Sequence, residues 1–441
     1  MATVITAETL RDMLDERRRG EHSFTVVDTR PEESFDGWRI ADSVHYFYKP
    51  FHEFDLDDFE AKTGLTSDDK IVTACAKGKA SLDFAEELEA AGYDEVTVVD
   101  DGMRGWSGVY DRTTLPLPDS GDRSLEIVQI QRRAKGCLGY LVIGGTAAEA
   151  ENGSDRIAIA ESDGSDRIAI AESDGSDRIA IAIDVSRHGT EWREAAAERD
   201  ASIAAVLDTH VHDDHLSGGR ALADELDVPY YLPAAAAERD VAYSFEPLAR
   251  NETLDVGGID VKALATPGHT DDMASYLIGR SAVLTGDTLF TDSVGRTELQ
   301  FAASESSDPI DGNDAESTGA ATGASRLYDS LHGTLLAEPD DVVVCPGHFA
   351  VANDGTTGDV IPGEPVTTTV GAARREIDVL AADRETFIDR ITATLPEKPP
   401  NYEDVIATNR GVTSPPDEVS AIELELGPNR CAADTGSTAD D

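Results

Sequence analysis

The chain has 441 residues, 40% of them hydrophobic, which is enough for two or three domains with real cores. Its 87 acidic residues against 37 basic ones give a formal net charge of -50, which excludes the basic footprint of a nucleic-acid binder. A surface this acidic repels itself when counter-ions are scarce, so the composition points to a halophilic cytoplasm.

The first twenty residues are charged and hold no signal-peptide core, and no apolar run reaches the ~20 residues of a membrane span. Cys75, Cys137, Cys345 and Cys431 show no paired spacing, so no disulfide framework is expected and a reducing, cytoplasmic setting is. Residues 24–28, 70–74 and 96–99 read as buried strands. Residues 79–91 read as a helix with Leu82, Ala85 and Leu88 inward and Gly92 as its cap. Alternating strands and helices imply a parallel α/β sheet over 1–115. The Pro-, Ser-, Gly- and Asp-rich stretch 116–126 reads as a linker, and a second domain is expected over 127–411.

Within that second domain an eleven-residue unit, SDRIAIAESDG, occurs at 154–164 and 165–175, and a third copy starts at Ser176 and runs into Asp184. Each unit is one alternating strand plus a turn. Two extra units add one hairpin, so 154–175 reads as a duplication that lengthens an edge hairpin and carries no chemistry. Residues 302–324 are rich in Ser, Gly, Ala and acidic side chains without periodicity, and are expected to form a mobile loop. Residues 412–441 read as a C-terminal extension with a disordered tail.

Three of the ten histidines fall within six residues, His210, His212 and His215, with Asp214 among them. They follow an apolar run, 202–207, and precede Gly218-Gly219 and a helical segment, which places them on a strand-to-helix loop. Three further pieces follow: Thr266-Pro267-Gly268-His269, Thr285-Gly286-Asp287 and Cys345-Pro346-Gly347-His348. Imidazoles and carboxylates gathered on loops at strand ends suit zinc or iron. His22, His45, His52, His188 and His332 lie outside the pattern, and Asp184 reads as a turn or supporting residue.

On these residues, 128–411 resembles the metallo-β-lactamase superfamily, in particular its glyoxalase II and persulfide dioxygenase branches. The resemblance implies an αββα sandwich. In the glyoxalase II pattern His210, His212 and His269 would serve one metal, Asp214, His215 and His348 another, and Asp287 would bridge two zincs. In the dioxygenase pattern one Fe(II) per chain would be held by His210, His269 and Asp287. Gly295-Arg296-Thr297-Glu298-Leu299-Gln300, the segment 395–402 and 134–138 are similar to the dioxygenase branch, although Val294 and Glu298 depart from it. A 2-His-1-carboxylate face leaves open positions for O2 and a sulfur substrate, and Arg296 is expected to hold a substrate carboxylate.

Cys75 opens the loop Cys75-Ala76-Lys77-Gly78-Lys79-Ala80-Ser81 between a strand and a helix. Backbone N–H groups at a helix start favour a thiolate, and Lys77 and Lys79 add positive charge. This loop, with Asp28-Thr29-Arg30 and Gly102-Met103-Arg104-Gly105-Trp106, resembles a rhodanese domain. The expected fold is thus an α/β rhodanese-like domain with a parallel sheet, followed by an αββα metallo-β-lactamase sandwich. The expected function is oxidation of a low-molecular-weight thiol persulfide with O2 to sulfite and free thiol, with Cys75 as a carrier exchanging sulfane sulfur with a donor or acceptor. The alternative is a glyoxalase II-like thioester hydrolase with two Zn. Oligomeric state is left open by the sequence, a homo-oligomer included.

Overall fold

The structure, a computed structural model, describes residues 2–50, 53–118, 125–144, 167–168, 178–300, 312–393, 395 and 397–433. Short runs of β-branched residues build its first sheet. Thr25–Asp28, Ile71–Ala74 and Val96–Val99 carry Val, Ile and Thr and form its middle, with Thr3–Ile5 and Val44–His45 at the edges. All four pairings are parallel. Parallel neighbours cannot be joined by tight turns, and the helices Ala7–Arg18, Leu56–Thr63 and Lys79–Ala90 lie in the connections. The helix Lys79–Ala90 buries Ser81, Phe84, Ala85 and Leu88, whereas Leu82, expected inward, is 37% exposed. The stripe at spacing 3, 4 and 7 starts one residue earlier than the leucines alone imply.

The second unit is the expected αββα sandwich. One seven-stranded sheet runs, from edge to edge, through Glu246–Leu248, Tyr230–Pro233, Ala201–Leu207, Arg178–Ile183, Cys137–Gly144, Glu126–Arg132 and Tyr110–Thr114. The other runs through Thr368–Thr369, Val343–Pro346, Ala282–Gly286, Ala274–Ile278, Ile259–Ala265, Thr253–Val256 and Arg167–Ile168. Between them lies a core that includes Ile127, Tyr140, Ile181, Val261, Tyr276 and Leu284. Helices Thr190–Ala197 and Gly219–Leu226 cover the outer face of the first sheet. Helices Gly312–Gly333, Val370–Glu376 and Arg384–Ala393 cover the second.

Two expectations are revised, and a third falls mostly outside the described residues. Tyr110–Thr114 pairs with Glu126–Arg132 as an edge strand of the sandwich, so the chain enters the second unit before the stretch read as a linker. The repeat 154–175 lies outside the described residues except for Arg167–Ile168, which pairs with Asp255–Val256. Arg167–Ile168 is the edge strand of the second sheet, and the third copy is a central strand of the first: in Arg178–Ile183 the isoleucines face the second sheet and the alanines face the helices. Lastly, 302–324 is not all loop. Residues 302–311 lie outside the described residues, but 312–324 open the helix Gly312–Gly333, where Ala320, Ala324, Leu327 and Leu331 form a buried helical stripe. Half of that stripe is alanine, whose small apolar surface barely registers in composition.

Candidate metal centre

The strand Ala201–Leu207 ends in the middle of its sheet, and the chain then turns through the histidine loop 208–218. That loop is tied down from three sides. Asp208 accepts from Ser217 Oγ at 2.5 Å and Tyr230 OH at 2.7 Å. Asp272 accepts from Val211 N–H at 2.8 Å and from Arg239. Asn409, at the end of helix Tyr402–Asn409, donates to the carbonyls of His212 and His215 and accepts from Ser217 N–H. None of these anchors was singled out from sequence, because each lies far along the chain or in a segment of no unusual composition.

The loop brings His210 together with His269 and Asp287, each at most 1% exposed, with ligand atoms within 4.8 Å of one another. His210 Nδ1 lies 3.0 Å from Thr209 Oγ1, which donates to Asp184. His269 Nδ1 donates to the Arg296 carbonyl at 2.9 Å. Both rings therefore tie up Nδ1 and turn Nε2 toward the centre, the arrangement that outer partners impose on metal-binding histidines; burial opposes charge on His269, but Asp213 and Asp287 raise it to about 9. His210 Nε2, His269 Nε2 and Asp287 Oδ2 are buried without a hydrogen-bond partner. Burial and then His212 push His210 well below the usual imidazole range, so it stays neutral and able to donate a lone pair. Burial would raise Asp287, but His348, His269 and His210 hold it well below the usual carboxylate range.

Asp214, His215, His348 and Cys137 form a second group within the same 4.8 Å limit. Its members are bonded to each other: His215 Nδ1 to Asp214 Oδ1 at 2.8 Å, His348 Nε2 to Asp214 Oδ2 at 3.1 Å, and Cys137 Sγ to Asp214 Oδ2 at 3.2 Å. Asp287 joins the groups. Its Oδ1 lies 2.7 Å from His348 Nδ1 and its Oδ2 lies 3.5 Å from His269 Nε2. Only glycine fits at 347, since a Cβ there would stand 2.5 Å from Asp287 Oδ1. Burial opposes charge on His348, but Asp287 and Asp214 raise it well above the usual range.

His212 faces another way. Its Nε2 lies 3.3 Å from Asp184 Oδ1, and it groups with Asp184 and Asp208. Asp184, read from sequence as a turn or supporting residue, does support the site: it accepts from Thr209 N–H at 2.7 Å and holds a left-handed backbone, φ 50°. Sequence reading missed two buried neighbours, Asp213 and Cys431. Asp213 sits inside the motif, and its burial on a polar loop left no mark in the sequence; Cys431 comes from a segment with no periodicity.

Arg296 is placed differently from the expectation. Its guanidinium is 1% exposed, pairs with Glu298, and donates to the carbonyls of Glu397 and Arg430 at 2.9 Å each. It braces the wall of the site, and its own carbonyl orients His269. In the first unit, Cys75 is buried and its sulfur accepts from Ser81 Oγ at 3.4 Å. Gly102 lets the facing turn close on it, because a Cβ there would stand 1.9 Å from the Cys75 carbonyl oxygen. Lys77 and Lys79 are exposed beside that loop, and Lys77 Nζ lies 3.3 Å from Glu423. All four cysteines are free thiols, and among the described residues no helix is long and apolar enough to cross a membrane.

Seven buried imidazoles and carboxylates, several with unpartnered atoms, fit one or two divalent transition-metal ions. Buried charges of this kind are otherwise costly. Residues 6–108 match the rhodanese-like domain family and residues 175–348 match the metallo-beta-lactamase superfamily. A hydroxyacylglutathione hydrolase of Acidiphilium cryptum is 42% identical over 125 residues, which are 25% of this chain and 49% of that one. The chain thus spans about half the length of that relative. An uncharacterized protein of Mycobacterium leprae is 31% identical over 196 residues, 39% of this chain and 73% of that one. The crystal structure of ETHE1 from Myxococcus xanthus is 25% identical with a TM-score of 0.45, covering 65% of this chain and 98% of that one.

Proposed function

Because the chain belongs to the metallo-β-lactamase superfamily and carries a rhodanese-like domain ahead of it, we propose that it is a metal-dependent hydrolase acting on a thioester of a small thiol. The observation that carries this reading is the bond from Asp287 Oδ1 to His348, with Asp287 Oδ2 turned to His269. One carboxylate faces both ligand groups, the disposition a two-metal site uses. The Acidiphilium cryptum relative, named a hydroxyacylglutathione hydrolase, supports the same reaction class.

In this reading His210 and His269 would hold one ion, Asp214, His215 and His348 the other, and Asp287 would face both, whereas His212, expected among the ligands, is turned to Asp184 and Asp208. Bound there, the ions supply Lewis acidity toward a carbonyl and a lowered pKa for water. The chain's own residues do the rest. Thr209 and the Arg296 carbonyl hold two imidazoles in one orientation. The buried loops exclude bulk water, which strengthens every electrostatic contact inside.

A second reading has its own support. The partnerless atoms of His210, His269 and Asp287 form a 2-His-1-carboxylate set, whereas Asp214, His215 and His348 are closed on one another. With one Fe(II), that set suits oxidation of a thiol persulfide by O2 to sulfite and thiol. A sulfur-carrying Cys75 on the same chain has an evident use in that chemistry. In either reading Cys75 carries sulfane sulfur, and Lys77 and Lys79 attract its anionic donor.

One pair of assays separates the two. The protein purified with its native metal is tested for cleavage of a glutathione thioester and for oxygen uptake with glutathione persulfide, alongside metal analysis. Thioester cleavage with two zincs per chain supports the hydrolase. Oxygen uptake with one iron and no cleavage overturns it in favour of the dioxygenase.

A further inference from the structure

The four thiols of this chain are all buried, but their surroundings differ. A buried cysteine is ordinarily a small apolar residue. Cys345 is of that kind, packed in the core between the two sheets. Cys137 has polar company instead. Its sulfur donates to Asp214 Oδ2 at 3.2 Å. That sulfur and the ligand atoms of Asp214, His215 and His348 all lie within 4.8 Å of one another. Neither reading uses it.

The backbone puts Cys137 there. It opens the strand Cys137–Gly144 and forms an antiparallel bridge with His348. Leu138 N–H donates to the Gly347 carbonyl at 2.8 Å and Phe349 N–H to the Gly136 carbonyl at 2.9 Å, one hydrogen bond on each side of the pair. A pair flanked in this way has no hydrogen bond of its own, and its side chains stand on one face at the closer of the two spacings in an antiparallel ladder. Main-chain bonds therefore hold the sulfur beside the His348 imidazole, independently of its bond to Asp214. A Cβ at Gly136 would stand 2.3 Å from the Phe349 carbonyl oxygen, so glycine at that turn lets the two segments meet.

We infer that Cys137 is a sulfur donor of the second metal site, which makes that set Cys137, Asp214, His215 and His348. The inference rests on the two-ion reading of the centre. One thiolate, one carboxylate and two imidazoles suit the four-coordinate chemistry of zinc. The thiolate also selects against hard ions that prefer oxygen donors alone. On binding, the S–H bond breaks, its proton leaves to solvent and the sulfur lone pair forms the bond to the ion, with no change of oxidation state.

The test is metal binding by the full chain, read without turnover. Reduced apoprotein is titrated with Co(II) and with Zn(II) against a competing chelator. Wild type is expected to take two ions and to show a sulfur-to-cobalt charge-transfer band in the near ultraviolet. Cys137→Ser keeps the shape. It is expected to lose the band and to weaken one ion by at least about ten-fold, since even the outer partner of a ligand is worth that much. X-ray absorption at the zinc edge covers the case that this variant folds poorly. The two-zinc wild type is expected to show sulfur at about 2.3 Å, and Cys431→Ser to keep it. Two ions bound without a sulfur signal, a band that survives in Cys137→Ser, or a sulfur signal lost in Cys431→Ser overturns the role of Cys137 alone. Wild type that binds one ion or none overturns the two-ion reading itself.

Discussion

The carboxamide of Asn409 donates to the carbonyl of His215 at 2.7 Å, across 194 residues of chain, and to that of His212 at 2.9 Å. Its oxygen accepts from Ser217 N–H at 2.9 Å. One side chain thus holds the backbone of the histidine loop at three points. Asn409→Ala leaves two buried carbonyls and one N–H unpaired, at about 1–3 kcal/mol for each group that water cannot reach. A loss of several kcal/mol of stability, with weaker metal retention, is expected in urea unfolding and chelator competition. Unchanged unfolding would show that water replaces the side chain.

Thr209 relays between Asp184 and His210 Nδ1. Thr209→Val keeps the shape and removes the hydroxyl. Metal affinity is expected to fall by about 10–100-fold, the usual effect of losing a ligand's outer partner. The fold should survive, so the unfolding midpoint of the apoprotein provides the control.

Glu425 is fully buried and bound by Arg132 at 2.8 Å, by Arg187, and by Leu216 N–H at 2.9 Å. Burial would raise its carboxyl, but Arg132 and Arg187 bring it down from 4.5 to about 2. A carboxyl depressed on folding adds stability that is complete above the unfolded value and is lost as pH falls through the folded one. Stability is therefore expected to drop between about pH 4.5 and 2, by about 3 kcal/mol from this group. Glu425→Gln should flatten that part of the profile. A profile identical to wild type would remove Glu425 from the cause.

Cys75→Ser is expected to abolish sulfur transfer from thiosulfate to cyanide and to leave thioester cleavage or oxygen uptake within two-fold. The two sites share no side chain, and distant sites behave additively. Sulfur transfer at the wild-type rate in the serine variant would reduce the first unit to a docking domain.

A net charge of -50 predicts that salt stabilises the fold. The screening length falls from about 30 Å at 0.01 M to about 3 Å at 1 M, so repulsion between distant carboxylates is removed over that range. The melting temperature is expected to rise steadily with KCl up to about 1 M. A flat curve would contradict the halophilic reading.

The sequence by itself determined the two-unit plan and the place of the candidate metal ligands. A strand followed by His210-Val211-His212-Asp213-Asp214-His215 packs four donors into six residues, and a loop that short cannot separate them. The Cys75 loop was legible for the same reason, since its neighbours are its own sequence neighbours. Only the tertiary structure decided which atoms were left for a metal. His212 turned toward Asp184, Arg296 went into a wall pairing with Glu298, and Asp213 was buried against His269. Asn409, Glu425 and Cys431 reached the site from about 200 residues away. Local spacing records which residues lie on one turn or one strand face. It holds no trace of a contact formed when two distant segments pack, so those partners appeared only with the fold.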